Sequence, residues 1–171
     1  VRSLVSMMFA TRCSELSQLE NPPFIMAAGS YGDYFYSPTR KAYTLVAIFK
    51  TGQWKQALEG LVSVTKQAYE FGFTQSELDR AVAEMESYVR KSYNERSTQK
   101  NSKFVDKALT HFLQQEPEFS EEYSYELYNQ LLPGVTLKDV NETFRQFFPT
   151  DSKNMSLVLM SDENENSVIP T

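Results

Sequence analysis

The segment Ala42-Tyr43-Thr44-Leu45-Val46-Ala47-Ile48-Phe49-Lys50 limits what this chain can become more than any other. It is rich in β-branched and aromatic residues, and turn residues bound it: Ser37-Pro38-Thr39 on one side, Thr51-Gly52 on the other. Such a run reads as a strand, and one that is apolar on both faces belongs at the centre of a covered sheet. Residues 24–36 supply a partner, with Tyr31, Tyr34, Phe35 and Tyr36 among small residues and with Gly29 and Gly32 suited to a bulge or bend. The two segments are expected to pair antiparallel.

Apolar residues elsewhere recur mostly at helical spacing. Val1, Leu4, Val5, Met8, Phe9, Leu16 and Leu19 predict a helix over residues 1–20, already under way at Val1 and stopped by Asn21-Pro22-Pro23. No cap or turn precedes it, which leads us to expect a chain taken from a longer protein. Trp54, Ala57, Leu58, Leu61, Val62, Thr65, Ala68 and Tyr69 predict a second helix ending at Gly72, and Thr74-Gln75-Ser76-Glu77 is a capping box that opens a third. That third helix turns Leu78, Ala81, Val82, Met85, Val89 and Tyr93 inward. After a polar break over residues 94–102, Phe104, Val105, Ala108, Leu109, Phe112 and Leu113 form the next inward stripe, up to Pro117. Ser120 caps a helix with Tyr123, Leu127, Tyr128 and Leu131 inside, and Thr136 to Asp139 cap another carrying Leu137, Val140, Phe144, Phe147 and Phe148. A turn over residues 149–154 leads to a final strand, Met155 to Met160. The order, helix, two strands, a run of helices and one strand, predicts an α+β fold: a mostly antiparallel sheet with helices on one face. Residues 1–161 read as one domain and 162–171 as an acidic tail or linker.

The 171 residues are 41% hydrophobic and 23% charged, the balance of a globular protein large enough to fold without disulfides or metal. No apolar run approaches the roughly 20 residues of a transmembrane helix, and residues 1–9 lack the basic start and cleavage site of a signal peptide. A net charge of -5 has the wrong sign for a protein that neutralises phosphates, so nucleic-acid binding is disfavoured.

The residue types that carry chemistry do not converge in the sequence. His111 is the only histidine, and neither HExxH nor its inverse HxxEH is present, so it reads as a partly exposed helical residue. Cys13, the only cysteine, has no local nucleophile signature and reads as a small buried hydrophobe. Gly29-Ser30-Tyr31-Gly32 lacks the glycines and lysine of a phosphate loop and suits close backbone packing. Asp33, Glu116, Glu118, Glu121 and Glu122 stand where caps, turns and solvated faces ordinarily place carboxylates. No catalytic or metal residue is assigned to any position.

A set of strings nevertheless carries a resemblance, in order along residues 1–148. These are Ser14 to Gln18, Asn21-Pro22-Pro23-Phe24, Ala28 to Gly32, Lys50 to Trp54, Phe71 to Ala81, Ser92 to Arg96, Tyr125 to Leu127, Leu131 to Pro133 and Thr136 to Val140. Together they resemble the second, non-catalytic domain of the N-terminal half in insulinase/pitrilysin-type zinc peptidases, especially the large bacterial two-half members. The resemblance implies a mitochondrial-processing-peptidase-like α+β fold, and a parent enzyme whose two halves close like a clam shell around a peptide. It places zinc in the preceding domain, on HxxEH and a distant glutamate, with the motif Glu as general base. None of these residues lies in this chain. The Arg and Tyr pair that the family's other half carries in an RExxGxxY-like stretch is not matched either. Arg12 and Tyr31 are nearest by type, but Pro22 and Pro23 interrupt the pattern and the role is not carried over.

The resemblance therefore implies a scaffold domain of a zinc-dependent metalloendopeptidase. Its partners are the zinc-bearing domain, the other half and a peptide substrate, and the bacterial periplasm or cell envelope is the suspected location. By itself the segment is expected to bind no zinc and cleave nothing. The alternative is a stand-alone protein-binding module of the same fold, using its tyrosine-rich strands, and an independent enzyme is a third possibility. The family normally has a strand before the first helix, so an edge of the sheet is expected to lack a partner.

Overall fold

The computed structural model describes residues 1–34, 37–114, 117–148 and 155–160. The turn at 149–154 and the acidic tail at 162–171 lie outside the described residues, as do Phe35, Tyr36 and Glu116. In chain order the elements are α1 (Arg2–Ser17), β1 (Met26–Tyr34), β2 (Ser37–Ile48), α2 (Trp54–Phe71), α3 (Gln75–Asn94), α4 (Asn101–Gln114), α5 (Glu121–Leu131) and α6 (Leu137–Phe147). Short 3₁₀ turns at Arg96–Thr98 and Leu132–Gly134 follow α3 and α5. The fold is α+β, as expected. Two compact units divide it, one of residues 1–74 and 137–171, the other of residues 75–136.

In the first unit, β1 and β2 pair antiparallel with Met26 opposite Ile48 and Tyr31 opposite Tyr43, and the register shifts at Asp33 and Tyr34 rather than at a glycine. α1 packs on β1, α2 on β2, and α6 on both helices. Leu4, Val5, Met8, Phe9 and Cys13 line the buried side of α1 at the predicted spacing. Ala57, Leu61 and Ala68 do so on α2, where Val64 is buried and the expected Val62 is exposed, and Val140 and Phe144 do so on α6. Aromatic rings close the layer. Phe144 stacks on Phe9 at 5.8 Å and meets Phe73 edge-on at 5.3 Å, while Phe147 stacks on Tyr31 at 5.0 Å and on Tyr43 at 4.7 Å.

Two glycines are required by this packing. A Cβ on Gly29 would stand 2.6 Å from the Tyr43 hydroxyl, so the close-packing role expected of that residue is met there, while Gly32 faces open space. Gly72 ends α2 at φ +74°, and its neighbour Phe73 is held by the Asn141 side chain. Asn141 Oδ1 accepts the Phe73 N–H at 2.7 Å and its Nδ2 donates to the Phe73 carbonyl at 3.3 Å. These two bonds satisfy backbone groups where the chain leaves α2.

Three expectations about this unit are corrected. β2 is not covered on both faces: Thr44, Val46 and Ile48 are exposed and face Ser30, Ala28 and Met26 across the ladder, all exposed as well. The sheet has two strands among the described residues, so only the side carrying the helices is covered. Met155 to Met160 form no strand, and Met155, Leu157, Val158 and Met160 are exposed, because a short apolar run makes a strand only where an edge pairs with it. α1 stops at Ser17, ahead of the prolines, which leaves Leu19 exposed.

In the second unit, α3 buries Leu78, Ala81, Met85 and Val89 as predicted, and α5 packs against it. Ser120 caps α5, its hydroxyl accepting the Tyr123 N–H at 3.1 Å. The inner face of α5 differs from expectation: Tyr123, Tyr128 and Leu131 are exposed, whereas Tyr125 stacks on Tyr93 at 4.6 Å. α4 departs furthest. No side chain from Asn101 to Leu113 is buried, and the stripe expected inside, Phe104, Val105, Ala108, Leu109, Phe112 and Leu113, is exposed throughout.

Candidate functional site

The polar side of α4 meets an ion cluster on Glu121. Lys103 and Lys107, one turn apart on the polar side of α4, both reach Glu121 Oε1, at 3.2 and 2.8 Å. Ser92, near the end of α3, donates to Glu121 Oε2 at 2.8 Å. Burial pushes this carboxyl up, but hydrogen bonds from Lys107, Ser92, Lys103 and Gln99 outweigh it and bring its pKa down to about 2. The carboxylate is therefore charged near neutral pH and poorly suited to carry a proton in a reaction there.

Its neighbour Glu122 accepts Arg96 Nε at 2.6 Å, and Arg96 also donates to the Tyr93 carbonyl and lies 4.1 Å over the Tyr93 ring. The Glu122 carboxyl is held below its ordinary range by a backbone hydrogen bond, with Arg96 adding to the effect. Two open clefts, of about 320 and 400 Å³, flank the cluster and share Gln99, whose buried Oε1 has no hydrogen-bond partner. Charges of both signs line them. The cluster does the work of a joint between helices.

The other candidates are placed as follows. His111 is exposed on α4. Cys13 is buried and burial pushes its thiol up to about 11, so thiolate is scarce at neutral pH. Asp33 pairs with Lys41, its ladder partner. Glu118 lines one of the clefts. Arg12 donates from Nη2 to the Gly72 carbonyl at 2.8 Å and its guanidinium lies 4.6 Å over the Phe73 ring, while Tyr31 lies under Arg2 at 4.5 Å and against Phe147. Both side chains are engaged in packing within the first unit. Tyr43 is also turned inward: burial raises its hydroxyl to about 12, and the group lies toward Ser6 but short of hydrogen-bond geometry.

Sequence reading missed the part played by Glu121, because its partners come from two other helices. A usable signal existed in Lys103 and Lys107, which stand four residues apart beside an apolar stripe. Among the described residues no group of three or more His, Cys, Asp or Glu side chains comes together where a metal could sit.

What the geometry defines is an α+β protein with helices over one side of an antiparallel sheet and a helical second unit whose helices meet at one part-buried carboxylate. That architecture has counterparts among solved structures. The chain is similar to the crystal structure of the first half of the periplasmic protease PqqL from Escherichia coli, at 16% identity and a TM-score of 0.75, over 85% of this chain and 31% of that one. It is likewise similar to the crystal structure of the periplasmic protease PqqL from Escherichia coli, at 17% identity and a TM-score of 0.69, over 85% of this chain and 16% of that one. At such identities the likeness establishes the fold. No family model and no curated protein matches the sequence.

Proposed function

We propose that this chain is a non-catalytic domain of a zinc-dependent metalloendopeptidase of the insulinase/pitrilysin type, with residues 1–161 forming one family domain. In this reading it supports a zinc-bearing domain elsewhere in the parent polypeptide and lines part of a peptide chamber, in the periplasm or cell envelope of a bacterium. The observation that carries the proposal is the agreement of 85% of the chain with a half of a periplasmic protease at a TM-score of 0.75. The ordered strings between Ser14 and Val140 add to it. The chain spans less than a third of that half, which is consistent with one domain among several. A binding module built on tyrosine-rich strands is less well supported, since Tyr31 and Tyr43 are stacked on Phe147.

The test has two parts. The purified chain, dialysed against zinc, is expected to retain no stoichiometric metal and to hydrolyse no peptide in a chelator-sensitive manner. The parent reading frame is expected to encode HxxEH and a distal glutamate upstream. Tight zinc in the isolated chain, or a parent without that motif, overturns the proposal.

A further inference from the structure

An amphipathic helix ordinarily turns its apolar stripe toward a core; α4 turns it away. Lys103 and Lys107 tie the polar side to Glu121, and on the other side Phe104, Val105, Leu109, Phe112 and Leu113 are between 50% and 75% exposed. With a phenylalanine offering about 150 to 250 Å², these five leave about 600 Å² of apolar surface on one face, the upper end of what a monomer shows in one patch.

Resting on the function proposed above, we infer that this face is the seat of the zinc-bearing domain of the parent polypeptide. Area favours that occupant over a second copy. Covering the face and its counterpart removes about 1,200 Å², well inside the range for domains joined in one chain and at the bottom of what two separate chains need. A tethered domain also meets the face at a high effective concentration, so a modest interface suffices. Charge points the same way, because each copy carries a net -5 and two copies repel. The solved half to which this chain is similar extends well past the 31% that the chain covers, so a protein of that plan has a neighbouring domain to fill the seat.

The test is thiol footprinting of Leu109→Cys and Phe112→Cys, two exposed sites whose replacement leaves the core intact. Labelling is mapped by peptide mass spectrometry, in the 171-residue chain and in the parent polypeptide. Both thiols should react at the rate of an open peptide in the chain alone and at least tenfold more slowly in the parent. A short crosslinker at position 109 should join the zinc-bearing domain. Slow labelling in the chain alone, equal rates in chain and parent, or crosslinks to a second copy or to the parent's other half each overturn the inference. Zinc content and peptidase activity of the same parent preparation separate the two readings. An active zinc enzyme with reactive thiols removes the docking face alone, and a parent without zinc whose preceding domain still protects both thiols removes the peptidase reading alone.

Discussion

Replacing Glu121 with Gln should loosen the second unit in a way that depends on pH. The carboxyl titrates at about 2 in the folded chain, against an ordinary 4.5. At roughly 1.4 kcal/mol per pH unit of displacement, that difference sets a ceiling of about 3 kcal/mol. Glu121 itself is only 15% exposed, but Lys103 and Lys107 are 42% and 30% exposed, so solvent screens part of the attraction and about 1 to 2 kcal/mol is the expected effect. The sign follows from a folded pKa lying below the unfolded one. The contribution is complete above about pH 4.5 and disappears as pH falls through 2. Urea unfolding of Glu121→Gln and the parent sequence, followed by circular dichroism between pH 2 and 7, should therefore give curves that are separated at pH 6 and converge toward pH 2. Native-state hydrogen exchange should show α4 amides losing protection first, because Lys103 and Lys107 are its ties to α5. A stability difference that is the same at pH 2 and pH 6, or absent at both, would refute the cluster as the joint.

Two further outcomes are expected. Gly29→Ala places a methyl carbon 2.6 Å from the Tyr43 hydroxyl, on a ring already held by Phe147, and should cost about 1 to 3 kcal/mol in denaturant unfolding; an unchanged midpoint would mean that the Tyr43 ring is free to swing. Cys13, with its thiol pushed up to about 11 by burial, should react with a thiol reagent at pH 8 only at the rate of unfolding, rising with urea; rapid reaction without denaturant would contradict its burial.

How much was legible in the sequence differs from helix to helix. The α3 face and the Phe144 ridge hold in the structure, as do the α1 stripe apart from its exposed end at Leu19 and the α2 face apart from Val62, because each has an apolar period and packs against a larger apolar surface. α4 has an equally clear period, and the reading of its orientation fails. Periodicity locates a stripe on a helix but says nothing of what lies on either side of it. Here a carboxylate some 14 to 18 residues away on α5 captures the lysine side instead. The Glu121 cluster was hidden for the same reason, since Ser92, Lys103, Lys107 and Glu121 meet only once three helices are in place.

Local chemistry in the sequence by itself determined which segments are helical, where Gly72 ends one helix and Ser120 begins another, and that the strands pair as a hairpin. These depend on backbone restriction and on neighbours within a turn or two. Tertiary structure alone decided which face of α4 meets solvent, that one face of β2 stays open, and that Met155 to Met160 find no edge to join. A stripe, a sheet face and a strand edge each satisfy themselves on a surface distant in sequence, and the free energy of that encounter is not written in the segment that awaits it.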